Sequence, residues 1–242
     1  MPWKLLRDRG HEVIVATEHG GQRPVADPVQ LGGVFWGRFG ADPSAKSWYR
    51  EMQETPEVRS PMPWSRIDPA DIDALLLPGG HAPGMRPYLE SPELQRLAAA
   101  LLAAGKPVGA ICHGVLVLAR GRDPGTGKSL LFARQTTCLP KYLERLAYLA
   151  TAWRYGRRFR TYPAYVEDEV RSALADPERQ LQLGPMATWQ RGTVEDDRPA
   201  FCVVDGNYVS ARWLGDAYLF AKRFLEVVER PQPTSEPSRS GS

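Results

Sequence analysis

Short apolar runs alternate along this chain with stretches whose apolar residues recur every three or four positions, the pattern of an α/β domain. Residues 11–17 alternate as a strand, after a short helix that Gly10 closes. Residues 74–77 form an apolar strand that ends on Pro78, Gly79, Gly80 and His81. Ser91, Pro92 and Glu93 supply an N-cap, a first-turn proline and a first-turn acid, so a helix runs from there to about Ala104 and stops at Gly105. Residues 105–109 are a turn feeding a second buried strand, and residues 115–119 open another helix. Strand, helix, strand, helix in that order is a βαβ unit on a parallel sheet.

Further along, residues 140–155 and 164–175 carry helical apolar stripes (Leu143, Leu146, Ala147 and Ala150; Val166, Val170, Ala173 and Leu174) and read as a helical cap. Residues 201–204 and 208–210 flank Asp205-Gly206-Asn207, a hairpin turn, and residues 216–228 make a final amphipathic helix. Residues 18–70, rich in Gly and Pro and holding Trp36, Trp48 and Trp64, are too long for an ordinary loop and read as an irregular insertion packed over the domain. The expected organisation is one domain over residues 1–230, with cap insertions at about 22–66 and 140–190 and a Pro/Ser-rich disordered tail at 231–242. Residues 120–131 read as a polar loop and hairpin. Their Gly125-Thr126-Gly127-Lys128-Ser129 run fails as a phosphate loop, because Arg122 stands where the first glycine belongs and a helix precedes it.

A length of 242 residues suffices for one sizeable core. The net charge of +3 is scattered, and the cluster Arg154, Arg157, Arg158 and Arg160 reads as a solvated helix end, so no nucleic-acid partner is expected. No apolar run approaches the ~20 residues of a membrane span, and residues 1–10 lack a signal-peptide core. Three cysteines without repeated spacing argue against a disulfide scaffold and for a reducing, cytoplasmic setting. The histidines are His11, His19, His81 and His113. No pair has metal-ligand spacing, so no metal is expected.

The chemistry concentrates at Ala110-Ile111-Cys112-His113-Gly114. A cysteine at a strand-to-helix corner between small residues is the thiol form of a nucleophile elbow. The following helix points free N–H groups at the sulfur, which favours thiolate. The plainer alternative is a buried core cysteine. Ligand-facing loops follow the carboxyl ends of parallel strands. Gly79 and Gly80 could therefore offer backbone N–H groups to an oxyanion beside Cys112, the alternative being an ordinary strand-ending turn.

The segments at residues 75–81, 110–114 and 204–207 together resemble the ThiJ/PfpI superfamily, of the class I glutamine amidotransferase-like fold. The resemblance implies a flavodoxin-like three-layer sandwich with a mostly parallel sheet. Within the superfamily the chain is similar to the heat-shock chaperone and glutathione-independent glyoxalase branch, through His81 and the segment Leu139-Pro140-Lys141-Tyr142-Leu143-Glu144. That likeness nominates Glu144 as the acid that orients His113. It also implies cofactor-free attack of Cys112 on a small 2-oxoaldehyde such as methylglyoxal, with proton transfer by His113 and the oxyanion held by backbone N–H groups that include Gly80. An amidase or peptidase acting on an amide substrate would use the same groups. A non-enzymatic chaperone displaying Trp36, Trp48 and Trp64, or a redox sensor at Cys112, is the other class of reading. No histidine follows His113, which argues against the glutamine-hydrolysing triad of the class. Residues 1–6 match the latter half of the family's first helix. The family's first strand and the glutamate beside its nucleophile precede that match, and Glu18 does not replace that glutamate. The metal site of some relatives draws on the same preceding segment, so the resemblance too implies no metal. Relatives suggest a homodimer.

Overall fold

The computed structural model describes residues 1–33, 40–187 and 190–230, so Trp36 and the expected tail lie outside the described residues. Helix α1 (Pro2–Asp8) leads to strand β1 (Ala16–Thr17), helices α2 (Pro28–Gly32), α3 (Pro43–Gln53) and α4 (Pro56–Arg59), and strand β2 (Met62–Pro63). Strand β3 (Leu75–Leu77), helices α5 (Met85–Glu90) and α6 (Pro92–Ala103), strand β4 (Val108–Ile111) and helix α7 (Val115–Arg120) follow. Helices α8 (Lys141–Tyr155), α9 (Val166–Ala173) and α10 (Pro177–Gln180) precede the hairpin of β5 (Cys202–Asp205) and β6 (Tyr208–Ala211), and helix α11 (Ala217–Val228) closes the order. Single 3-10 turns lie at Cys112–Gly114 and Leu214–Asp216.

Local chemistry explains the boundaries. The Ser91 hydroxyl accepts the Leu94 N–H at 3.2 Å and starts α6, and Asp42 does the same for α3 through Ala45. A proline stands in the first turn of each of these helices. Asp205 to Asn207 turns β5 back antiparallel on β6.

The main sheet has the order β3-β4-β6-β5, with β3, β4 and β6 parallel. Side chains alternate between its faces. Val108 and Ala110 join the core made with α6 and α7, including Leu97, Leu101, Leu116 and Leu118. Ile111 faces the other way, with Val209 and Ala211, onto Phe220 and Phe224 of α11. Helix α1 packs on α11. The three layers of the flavodoxin-like expectation are thus present.

Two expectations change. The alternating run at residues 11–17 yields a ladder only at Ala16–Thr17, which pairs in parallel with Met62–Pro63 in a separate two-stranded sheet. Alternation marks a face and names no partner, and the pairing that anchors this run comes from a Pro-rich segment with no strand signature. Residues 18–70 are more regular than expected, since α2, α3, α4 and β2 lie there. They escape detection because they are short and begin on prolines, which read as loop punctuation.

Candidate active site

Strands β3 and β4 lie in register, with Leu77 opposite Ala110, so their following loops emerge at the same edge of the sheet. One loop carries Gly79, Gly80 and His81; the other carries Cys112, His113 and Gly114. The corner at Cys112 is sharp. Among the described residues it is the one non-glycine at positive φ, +60°. That conformation costs roughly 1–3 kcal/mol and persists only where the surroundings impose it. They do so here by close backbone approach. A Cβ on Gly79 would lie 2.6 Å from the Cys112 Cβ, and one on Gly114 would collide with the carbonyls of Leu77 and Pro78.

The Cys112 Sγ lies 3.5 Å from Nδ1 of His113. His113 is completely buried, and its Nε2 has no hydrogen-bond partner. The ring of His81 meets it edge-on at 4.4 Å between centroids and rests on Phe159 at 5.0 Å. His81 Nδ1 is likewise buried and unpartnered. Burial, then the neighbouring His81 and Arg120, holds His113 well below the usual imidazole range, and burial brings His81 down to about 4. Both rings are neutral at pH 7. Burial pushes the Cys112 thiol up to about 12. The His113 N–H pulls it back, and Glu144 and Asp216 add to the rise. That direction runs against the thiolate expected from the helix end. Helix α7 has six residues and begins beyond a 3-10 turn.

Glu144 lies in the first turn of α8 and is buried. One carboxylate oxygen accepts the Val166 N–H at 3.1 Å, and the other lies 3.9 Å from the Arg160 guanidinium. Among the described residues no hydrogen bond joins it to His113, so the orienting contact implied by the resemblance is not made. The Pro140 turn and the start of α9 direct this carboxyl to Val166 instead. Burial raises Glu144 to about 7 against the opposing Val166 and Arg160.

Cys112, Glu144 and the Gly79–Gly80 backbone share the wall of a cavity of about 370 Å³, with Leu143, Phe159 and Trp213 among its apolar lining. Phe159 and Trp213 were not singled out from the sequence. Trp213 could have been, since it follows β6 at the same edge as the elbow. It is held by its neighbours. Arg212 and Asp216, both fully buried, pair through two contacts at 2.8 and 2.9 Å, and Arg212 also donates to the carbonyls of Leu183 and Pro185.

The family model described as ThiJ/PfpI family-like matches residues 1–185. The chain belongs to the ThiJ/PfpI family. An uncharacterised protein of Schizosaccharomyces pombe is 30% identical over 233 residues, covering 94% of this chain and 77% of that one. A protein of Pyrococcus abyssi named a deglycase is 24% identical over 228 residues, 94% of this chain and 89% of its own. The crystal structure of glyoxalase III from Candida albicans superposes with a TM-score of 0.65 at 19% identity, over 93% of this chain and 84% of that one, which is agreement in fold. No helix among the described residues is long and apolar enough to cross a membrane.

Proposed function

We propose that this ThiJ/PfpI protein is a cofactor-independent enzyme acting on reactive 2-oxoaldehydes through Cys112. The observation that carries the reading is the strained Cys112 corner, with Sγ 3.5 Å from a neutral imidazole nitrogen at the wall of a largely apolar cavity. Relatives named deglycase and glyoxalase 3 point to the same class of chemistry.

The sulfur attacks the aldehyde carbon as its proton passes to His113 Nδ1, and His113 returns that proton to the new alkoxide oxygen, giving a hemithioacetal. A proton then leaves the former aldehyde carbon and another arrives at the neighbouring carbonyl carbon, through an enediol. The first carbon rises to a thioester as the second falls to an alcohol, so no external oxidant or reductant is needed. Water cleaves the thioester to a 2-hydroxy acid and restores the thiol. Backbone N–H groups of the Gly79–Gly80 turn and of His113 would hold the oxyanion. Glu144, on the cavity wall and raised toward neutrality, serves as a second proton carrier.

The cavity is larger than a three-carbon substrate needs, and Leu143, Phe159 and Trp213 favour an apolar substituent beside the dicarbonyl. Phenylglyoxal should exceed methylglyoxal in kcat/KM by about tenfold, the return on burying roughly 1.4 kcal/mol more apolar surface. Cys112→Ala should abolish conversion of both. Retained turnover in Cys112→Ala, with a native circular dichroism spectrum, overturns the reading. A sensor role fits less well, because redox-sensing cysteines are low-pKa and exposed and burial takes Cys112 the other way. The chaperone reading loses two of its three tryptophans as display surfaces. Trp48 packs edge-on against Tyr218 at 5.9 Å, and Trp64 packs on the core beside Tyr88 at 6.2 Å.

A further inference from the structure

The sequence offers no metal-ligand spacing, because His81 lies 31 positions before Cys112. The β3–β4 pairing removes that separation. One donor atom each from His81, Cys112 and His113 lie within 4.8 Å of one another. We propose that these three residues form a binding site for a thiophilic divalent cation of the zinc type, whose fourth position opens on the cavity, and that its occupation blocks Cys112.

Three observations carry this. Two ligands on a tetrahedral zinc, with Zn–S of about 2.3 Å and Zn–N of about 2.0–2.1 Å, sit roughly 3.5–3.6 Å apart. The Cys112 Sγ and His113 Nδ1 are already 3.5 Å apart. Next, His81 Nδ1 is buried without a partner, on a residue 9% exposed, and is a donor left over for the ion that Cys112 Sγ and His113 Nδ1 face. A buried polar atom without a partner is destabilising, and a bound ion is one of the few things that accounts for one beside a cysteine and a second histidine. Last, the ligands are preset. Cys112 and His113 sit on a corner that Gly79 and Gly114 fix by close contact, and His81 is wedged between His113 and Phe159. One thiolate and two imidazoles is a donor set that suits zinc, and a site with three protein ligands and one open position is the arrangement zinc uses when it binds exogenous groups. Binding replaces the thiol proton: the S–H bond breaks, the S–metal bond forms, and one proton leaves to solvent.

The inference goes beyond the carbonyl reading and does not depend on it. Cobalt(II) is the probe, titrated into the intact, reduced, metal-stripped chain. One equivalent should give visible bands of tetrahedral cobalt and a near-ultraviolet thiolate-to-cobalt band, with one proton released, and zinc should bleach both. Cys112→Ser should lose the thiolate band, while Cys138→Ala and Cys202→Ala keep it. His81→Ala should weaken binding by at least the roughly 10–100-fold that a lost outer partner costs. A native circular dichroism spectrum is the control that the His81→Ala fold is intact. A wild-type chain without the thiolate band, a band that survives Cys112→Ser, or unchanged affinity in His81→Ala overturns the proposal. Turnover measured in the presence of chelator scores the carbonyl reading separately.

Discussion

The Arg212–Asp216 pair and the Cys112–His113–His81 group lie at the same edge of the sheet, and both bury polar atoms, but their hydrogen bonding differs. Asp216 accepts from the Arg212 side chain, the Arg212 N–H and the Phe201 N–H, and Arg212 spends its remaining donors on two carbonyls. In the other group two ring nitrogens have no partner and one residue is held at a strained φ. A satisfied network fixes a loop in place, and this one positions Trp213 and Leu214 on the cavity wall. An unsatisfied one stores free energy that a substrate or an ion can release.

The largest effect should come from breaking the satisfied cluster. Asp216→Ala leaves the Arg212 guanidinium buried without its counter-charge, and such a loss costs about 3–5 kcal/mol. Urea unfolding of that variant should show a midpoint far below wild type. The Arg212→Met, Asp216→Leu double variant should recover most of the loss, because replacing both charges by apolar groups removes the desolvation penalty as well. A single variant within 1 kcal/mol of wild type would dissolve the contrast, since the pair would then hold nothing in place.

Next in size is the pH dependence that Glu144 contributes. Burial raises its folded pKa to about 7 from an ordinary 4.5. The native state therefore holds a proton that the unfolded chain has released, and the native chain binds more protons throughout the interval between the two values. Stability is fully present below pH 4.5, falls as pH rises toward 7, and levels off above it. The total is on the order of 3–4 kcal/mol. Glu144→Gln keeps an acceptor for the Val166 N–H and cannot ionise, so its unfolding free energy should lack that decline. If wild type and Glu144→Gln run parallel from pH 4.5 to 8, Glu144 is solvated and leaves the list of proton carriers.

The two clusters were unequally legible in the sequence. The elbow announces itself, because a cysteine between small residues at a strand–helix boundary is a local pattern. So does the Ser91-Pro92-Glu93 start of α6, and the 205–207 hairpin, whose turn residues act over a few positions. The Arg212–Asp216 pair gives no signal, since an i, i+4 pair of opposite charges reads as surface until β6 and α11 bury it. Phe159 beside His81 gives no signal for a related reason: only the chain beyond the end of α8 brings it there. The resemblance nominates Glu144 to orient His113, but its hydrogen bond goes to Val166, a residue whose placement depends on how α9 packs. The burial that raises the Cys112 pKa is likewise something local sequence does not report.

The smallest effect is also the most specific, because it isolates the backbone strain at Cys112. Replacing alanine by glycine in ordinary structure lowers stability by roughly 0.5–1 kcal/mol, owing to the extra freedom of the unfolded chain. At φ +60° the order should reverse. Cys112→Ala loses the thiol and keeps the Cβ that makes this conformation costly. Cys112→Gly loses both, and should be more stable than the alanine variant by about 1 kcal/mol. Neither variant should convert a 2-oxoaldehyde, so the comparison separates the chemistry of the sulfur from the geometry that presents it. An alanine variant as stable as the glycine one would mean that the corner is not strained. The contrast between the two clusters would then rest on the unpartnered histidine nitrogens alone.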